Sequence, residues 1–300
     1  MKNLFLLLFI ALTLSASAFK VEYRPKSGAN TFGIVSVKKN NFAPGQPAII
    51  FLHGIGERGD GSQAGLNKLA NWGGVNLKGD KYSLFAATDA FGFNIVCVQT
   101  ASEYQYGEIN YAVDYAIKEL KADPNQVHVI ANSLGGFGLA REAGKDPALP
   151  KRFASMLIIV MGNGTGANTA KNIADSKVPT WFMTASDDTK SGTNPDVTRK
   201  LFSAVDAAGG NTWLTDWPTG GHGMLTRAVG SWYPPLGWSM PAAKGTSPVM
   251  PIYKWMLNNR KGGAVKTPTD PYVPFMPEPV KLPAKEPAYI LYNDGTWSPV

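Results

Sequence analysis

Val127-His-Val-Ile-Ala-Asn-Ser133-Leu-Gly-Gly-Phe-Gly138 is the stretch whose reading decides the fold. An apolar run leads straight into a serine flanked by small residues, and a helical segment follows. A chain that passes from strand to helix through one residue turns so sharply that the backbone two places before and two places after it nearly collide. Ala131 and Gly135 keep that space open, Ala131 being a mild departure from glycine at both positions. Such a turn pushes the Ser133 hydroxyl out of the top of a sheet and aims the Leu134 amide at the same spot. The positive end of the helix dipole adds to the pull on an anion there.

Short apolar runs recur on either side: 48–52, 95–98, 156–160 and 181–183. Without polar alternation they suit strands covered on both faces, as in a parallel sheet. Ile109, Val113, Ala116, Ile117 and Leu120 repeat at helical spacing until Asp123-Pro124. Val197, Leu201, Val205 and Ala208 do the same until Gly209-Gly210. The alternation predicts an α/β fold with a mostly parallel central sheet and helices on both faces. Residues 20–24 and 32–37 alternate in polarity and predict an antiparallel pair at the N-terminal edge. No internal repeat of fixed period is present.

A serine hydroxyl needs a base before it attacks anything. The chain has three histidines. His128 lies within the strand that leads to Ser133, which makes it a core residue. His53 follows the buried run 48–52 in His53-Gly-Ile-Gly-Glu-Arg-Gly-Asp60, where it orders the loop. His222, in Gly220-Gly-His-Gly223, is left as the base, with glycines that let its ring reach across the sheet top. Its orienting carboxylate is expected after the preceding strand, where Asp187 and Asp188 stand together; the strand–turn spacing resembles the common FHGxxD form, with Ala185 in the glycine's place, which favours Asp188, with Asp187 as the alternative. The loop after His53 offers the Ile55 amide as a partner to that of Leu134 in an oxyanion hole. It lacks the spacing of a phosphate-binding loop. The Ser36–Lys39 match to S-x-x-K sits in the edge pair without companion motifs and is read as chance. Cys97, inside an apolar run, is read as buried and inert.

The chain has 300 residues, 44% of them hydrophobic and 17% charged, with a net charge of +7. That balance excludes a disordered chain, and one cysteine excludes a disulfide framework within it. Nothing in the spacing of the histidines suggests a metal site, and there is no cluster of Lys and Arg to bind nucleic acid. Residues 1–18 read as a secretory signal peptide: Lys2, an apolar run from Leu4 to Leu14, then Ala16-Ser17-Ala18. No later segment approaches spanning length, so no membrane span is expected after its removal, and the protein is expected to be secreted or periplasmic. A catalytic domain is expected over 19–260. Residues 261–300 hold eight prolines and read as an extended arm or linker, closing in a small hairpin with an Asp294-Gly295 turn. Asn163-Gly-Thr165 is a formal glycosylation sequon.

The segments HGIGERGD (53–60), ANSLGG (131–136), Trp181-Phe-x-x-Ala-x-x-Asp188 and GGN…GGHG (209–223) together resemble the α/β-hydrolase superfamily. Within it they are similar to secreted esterases and predicted peptidases with an HGxGERGD loop, near the feruloyl and acetyl-xylan esterases and the polyhydroxybutyrate depolymerases. The resemblance spans about residues 20–260. It implies the α/β-hydrolase fold, a triad in the order Ser133, Asp188, His222, and ester hydrolysis without a cofactor. The partner it implies is an ester substrate, carbohydrate-linked or polyester. A serine peptidase of the same fold, and a non-catalytic glycan- or surface-binding protein on that scaffold, are the alternatives. A Trp- and Pro-rich insert at 231–240 stands just after the His222 loop. Trp232 and Trp238 there either stack on substrate or pack the loop.

Overall fold

The computed structural model describes residues 19–28, 31–71, 84, 87–88, 91–162, 165–190, 192–223, 225, 228, 252–263, 289–291 and 297–299. The N-terminal segment 1–18, the insert carrying Trp232 and Trp238, Asn163 and most of the proline-rich tail lie outside them. Eight strands form one sheet: β1 (Phe19–Arg24), β2 (Gly33–Lys39), β3 (Ala48–Leu52), β4 (Asn94–Gln99), β5 (Val127–Asn132), β6 (Ser155–Ile159), β7 (Thr180–Ala185) and β8 (Thr212–Trp217). Their order is β1-β2-β4-β3-β5-β6-β7-β8. From β4 to β8 every pairing is parallel. β1 pairs antiparallel with β2, and β2 with β4, as an N-terminal edge.

Alternate residues of the apolar strands feed two separate cores. Ile50, Leu52, Val96 and Val98 join one cluster, while Ile49, Phe51, Ile95 and Cys97 join the other. This explains the unbroken apolar runs, because with period-two geometry each face of the sheet needs its own apolar set. Helices α2 (Tyr106–Lys118), α3 (Leu134–Lys145), α4 (Thr169–Ser176) and α5 (Pro195–Ala207) cover the first face. Helices α1 (Gln63–Asn71) and α6 (Ile252–Leu257) cover the second. Side chains such as Trp181 and Phe51 are fully enclosed. Burial on this scale stabilises by about 2–3 kcal/mol per large side chain.

Strand order reverses at β3. The chain leaves β3 for β4 on one side, then crosses to β5 on the other. Such a switch opens a crevice at the carboxyl ends of the two flanking strands. The segments that start there are the His53 loop and the Ser133 turn. One strand ends sooner than its apolar run: Val160 leaves β6 with φ 40°, although its amide still bonds the Met183 carbonyl at 2.8 Å. That turn lets Gly162 reach back and donate to the Ser133 carbonyl at 3.3 Å.

The chain divides into two compact units, one running to Thr267 and one from Pro268. In the second, β9 (Tyr289–Leu291) and β10 (Trp297–Pro299) pair antiparallel; the expected Asp294-Gly295 turn between them lies outside the described residues.

Candidate active site

Ser133 is the junction between β5 and α3. Its backbone is at φ 53° and ψ −110°, a region that a residue with a side chain occupies at a cost of about 1–3 kcal/mol. The surroundings hold it there. Its amide donates to the Ile159 carbonyl at 2.9 Å, and its carbonyl accepts from Phe137 at 3.0 Å. Gly135 explains the glycine requirement: a Cβ there would lie 2.2 Å from the Leu52 carbonyl oxygen of the neighbouring strand.

His222 sits in a short turn, Gly221–Gly223, after β8. Its Nε2 is 2.9 Å from Ser133 Oγ, and its Nδ1 is 2.9 Å from Asp188 Oδ2. Asp188 is 4% exposed. Its second oxygen accepts from the Lys190 amide and the Thr193 hydroxyl, each at 3.1 Å. The carboxylate is therefore pinned, and the imidazole bridges it to the serine. A carboxylate on Nδ1 keeps the proton there and leaves Nε2 free to accept from the hydroxyl. Asp187 does not reach the ring. It accepts instead from the amides of Gly220 and Gly221, at 3.1 and 2.7 Å.

The His53 loop lies across from this array. His53 is buried. Its Nε2 faces the Thr100 amide at 3.1 Å and so accepts, which leaves Nδ1 to donate to the Gly54 carbonyl at 2.6 Å. Its own amide donates to the Tyr104 hydroxyl at 2.8 Å, and that hydroxyl donates on to the Val98 carbonyl. Burial lowers the ring's pKa to about 4, so it stays neutral and ties the loop down. Ile55 opens a single 3-10 turn, Ile55–Glu57, with its side chain half-exposed. Leu134 opens α3, where first-turn amides have no partner within the helix. Glu57, in the Ile55 turn, is buried, and desolvation raises its pKa. A Cβ at Gly54 would lie 3.1 Å from Glu57 Oε2 and 3.7 Å from Ser133 Cβ, so the loop runs close against the nucleophile.

Gln99, at the end of β4, is a residue that sequence reasoning missed. Its Nε2 donates to the carbonyls of Glu57 and Gly65, at 2.9 and 2.8 Å, and its Oε1 accepts from the Gly61 amide at 3.1 Å. Side chains at Gly59 or Gly65 would lie 2.5–2.6 Å from this amide. The glycines of the loop are there to close it around Gln99. The one available signal was a polar residue ending a buried run.

The remaining candidates lie elsewhere. His128 is fully buried, with Nδ1 2.8 Å from Ser155 Oγ. Cys97 is a buried free thiol whose pKa burial pushes up. Ser36, on β2, meets the hydroxyl of Tyr115 on α2 at 3.3 Å. Among the described residues no three His, Cys, Asp or Glu side chains group to hold a metal ion, and no helix is long and apolar enough to cross a membrane.

No protein-family model matches the chain, and no curated protein matches it in sequence. Its structure is similar to that of a thermostable esterase, at 19% identity and a TM-score of 0.54, over 81% of this chain and 63% of that one. It is also similar to a thermostable esterase from Pseudomonas putida ECU1011, at 17% identity and a TM-score of 0.50, over 72% of this chain and 80% of that one. The chain thus spans less than two thirds of the first of these. These likenesses, with the sheet described above, show the α/β-hydrolase fold.

Proposed function

We propose that this protein is a serine hydrolase that cleaves carboxylic esters through an acyl-enzyme. The observation that carries the reading is the unbroken hydrogen-bonded chain from Ser133 through His222 to Asp188, with 2.9 Å at each link. In the forward step His222 Nε2 takes the proton of Ser133 Oγ as that oxygen bonds the ester carbonyl carbon. Asp188 stabilises the resulting imidazolium. The carbonyl oxygen becomes an oxyanion, for which the amides of Leu134 and Ile55 are the proposed donors. Each such donor is worth about 10²–10³ in rate. The tetrahedral intermediate then collapses, and His222 gives its proton to the departing alcohol. Water repeats the cycle on the acyl-enzyme: His222 removes its proton, the acid leaves, and Ser133 is restored. Every step runs on side chains and backbone amides of the chain itself.

The expected substrates are esters linked to carbohydrate or in polyesters, met outside the cytoplasm after export through the leader at 1–18. Trp232 and Trp238 are the proposed stacking groups for a sugar or aromatic acyl unit. A fluorophosphonate probe tests the central reading. Covalent labelling of the wild type, lost in Ser133→Ala, is expected, along with turnover of p-nitrophenyl acetate well above that of p-nitroanilide peptides. A folded wild type that takes no label would sink the proposal. Faster turnover of the anilides would shift it to a peptidase.

A further inference from the structure

We propose that Asp187 is a positioning residue for His222: its carboxylate holds the backbone that carries the imidazole, while Asp188 next to it holds the ring. The inference rests on the serine-hydrolase reading above and assigns that site a further residue.

The His222 ring is held by Ser133 and Asp188, and the backbone that brings it there needs its own anchor. Its residues are not buried. Gly220 and Gly221, just before His222, have φ of 144° and 53°. Glycine has no side chain to favour those angles over others, so the segment's conformation must be chosen from outside. Asp187 makes that choice. Its Oδ2 accepts from the Gly220 amide at 3.1 Å and its Oδ1 from the Gly221 amide at 2.7 Å. Two successive amides converging on one anion form a nest, which fixes both peptide planes at once. The carboxylate is itself launched from rigid backbone. The Ser186 amide bonds the Trp217 carbonyl at 2.7 Å, and the Asp188 amide bonds the Ala185 carbonyl at 3.1 Å, tying the Asp-Asp turn to the ends of β7 and β8. Adjacent carboxylates on one turn thus hold the two glycines that lead into His222 and the His222 ring itself.

The requirement is strict because His222 must meet Ser133 and Asp188 together. Displacing a catalytic group by about 1 Å costs on the order of 10²-fold in rate. A loop that drifts without Asp187 would leave substrate binding intact and slow the chemistry.

The test compares wild type, Asp187→Ala and Asp187→Asn with p-nitrophenyl acetate, with fluorophosphonate labelling, and by NMR of the downfield His222 Nδ1 proton. In Asp187→Ala, kcat is expected to fall about 10–100-fold with KM changed less than about threefold. Labelling should slow in parallel, and the Nδ1 proton signal should broaden. Asp187→Asn keeps an oxygen for one amide and should recover part of the loss and the NMR signal. A wild-type kcat in Asp187→Ala overturns the proposal, as does an asparagine variant no better than the alanine one. If Asp187→Ala does not fold, the asparagine variant decides: a several-fold lower kcat at unchanged KM supports the role, and wild-type kcat overturns it. The two readings fail differently. A wild type that takes no label removes the hydrolase assignment and this role with it. A wild type that labels, beside an Asp187→Ala that labels equally fast, removes the positioning role alone.

Discussion

The molecule contains the same short bond twice. Ser133 meets His222 at 2.9 Å, and Ser155 meets His128 at 2.8 Å. By distance the two pairs are equivalent, yet only the first has the makings of a catalytic device. His222 uses its second nitrogen on Asp188, whereas Nε2 of His128 has no hydrogen-bond partner among the described residues. The His222 side chain is 25% exposed, while His128 is sealed in the core with Phe93 edge-on to its ring. Burial lowers the His128 pKa to about 3, so at neutral pH that ring cannot hold a proton taken from a hydroxyl. Ser133 stands in strained backbone where a strand becomes a helix; Ser155 lies in the regular strand β6. A serine–histidine bond acquires chemistry from a third partner, solvent access and aim, and its length says nothing about any of them.

The largest contrast should come from deleting each hydroxyl. Ser133→Ala should lower kcat on the order of 10⁶-fold in a steady-state assay. Ser155→Ala should leave kcat per folded molecule unchanged and cost about 1–3 kcal/mol in urea unfolding, through the unpaired ring nitrogen it leaves. A Ser155 variant that lost activity while fully folded would break the comparison. Next in size is the third partner. Asp188→Asn should cost about 10⁴ in kcat, because an amide in that place favours the wrong tautomer of His222.

Smaller still is the loop opposite. Gln99→Ala removes three hydrogen bonds that close the 57–65 segment and should destabilise by about 2–4 kcal/mol, read from the urea midpoint. The last effect is on pH. His53 and His128 have folded pKa values of about 4 and about 3, below the ordinary value of 6.5, because burial disfavours their charged forms. The unfolded chain therefore binds their protons first. The stabilisation from keeping them neutral is complete above pH 6.5 and is lost as pH falls from there toward 4 and 3, by roughly 1 kcal/mol per pH unit for each ring. Urea midpoints between pH 7 and pH 5 should show the decline, and His128→Gln should flatten it.

What the sequence made legible follows the reach of each physical cause. Strands β3 to β7 announce themselves because both faces are covered, which writes an unbroken apolar run into each. Ser133 is legible because a tight turn excludes side chains at neighbouring positions. Asp188 could be preferred to Asp187 on local spacing, and the structure brings Asp188 to the ring. The second task of that pair, Asp187 on the glycine amides, leaves no local trace, since it depends on residues more than thirty places away. Gln99 is hidden for the same reason. Val160 shows the converse: its apolar character extends the expected strand by one residue, while the chain turns at Val160 with a positive φ and the strand ends at Ile159, whose carbonyl accepts from Ser133.

The contact between position 135 and Leu52 has a consequence for how this scaffold can vary. The missing side chain at Gly135 sets how near the nucleophile's helix stands to the strand bearing the opposite loop. A single methyl group there would act as a wedge, parting the halves of the reaction chamber before any reactive group had been altered. The gauge of the chamber is thus kept by a carbon atom that is never present. Sequence drift can refashion its walls freely, but that spot must stay bare.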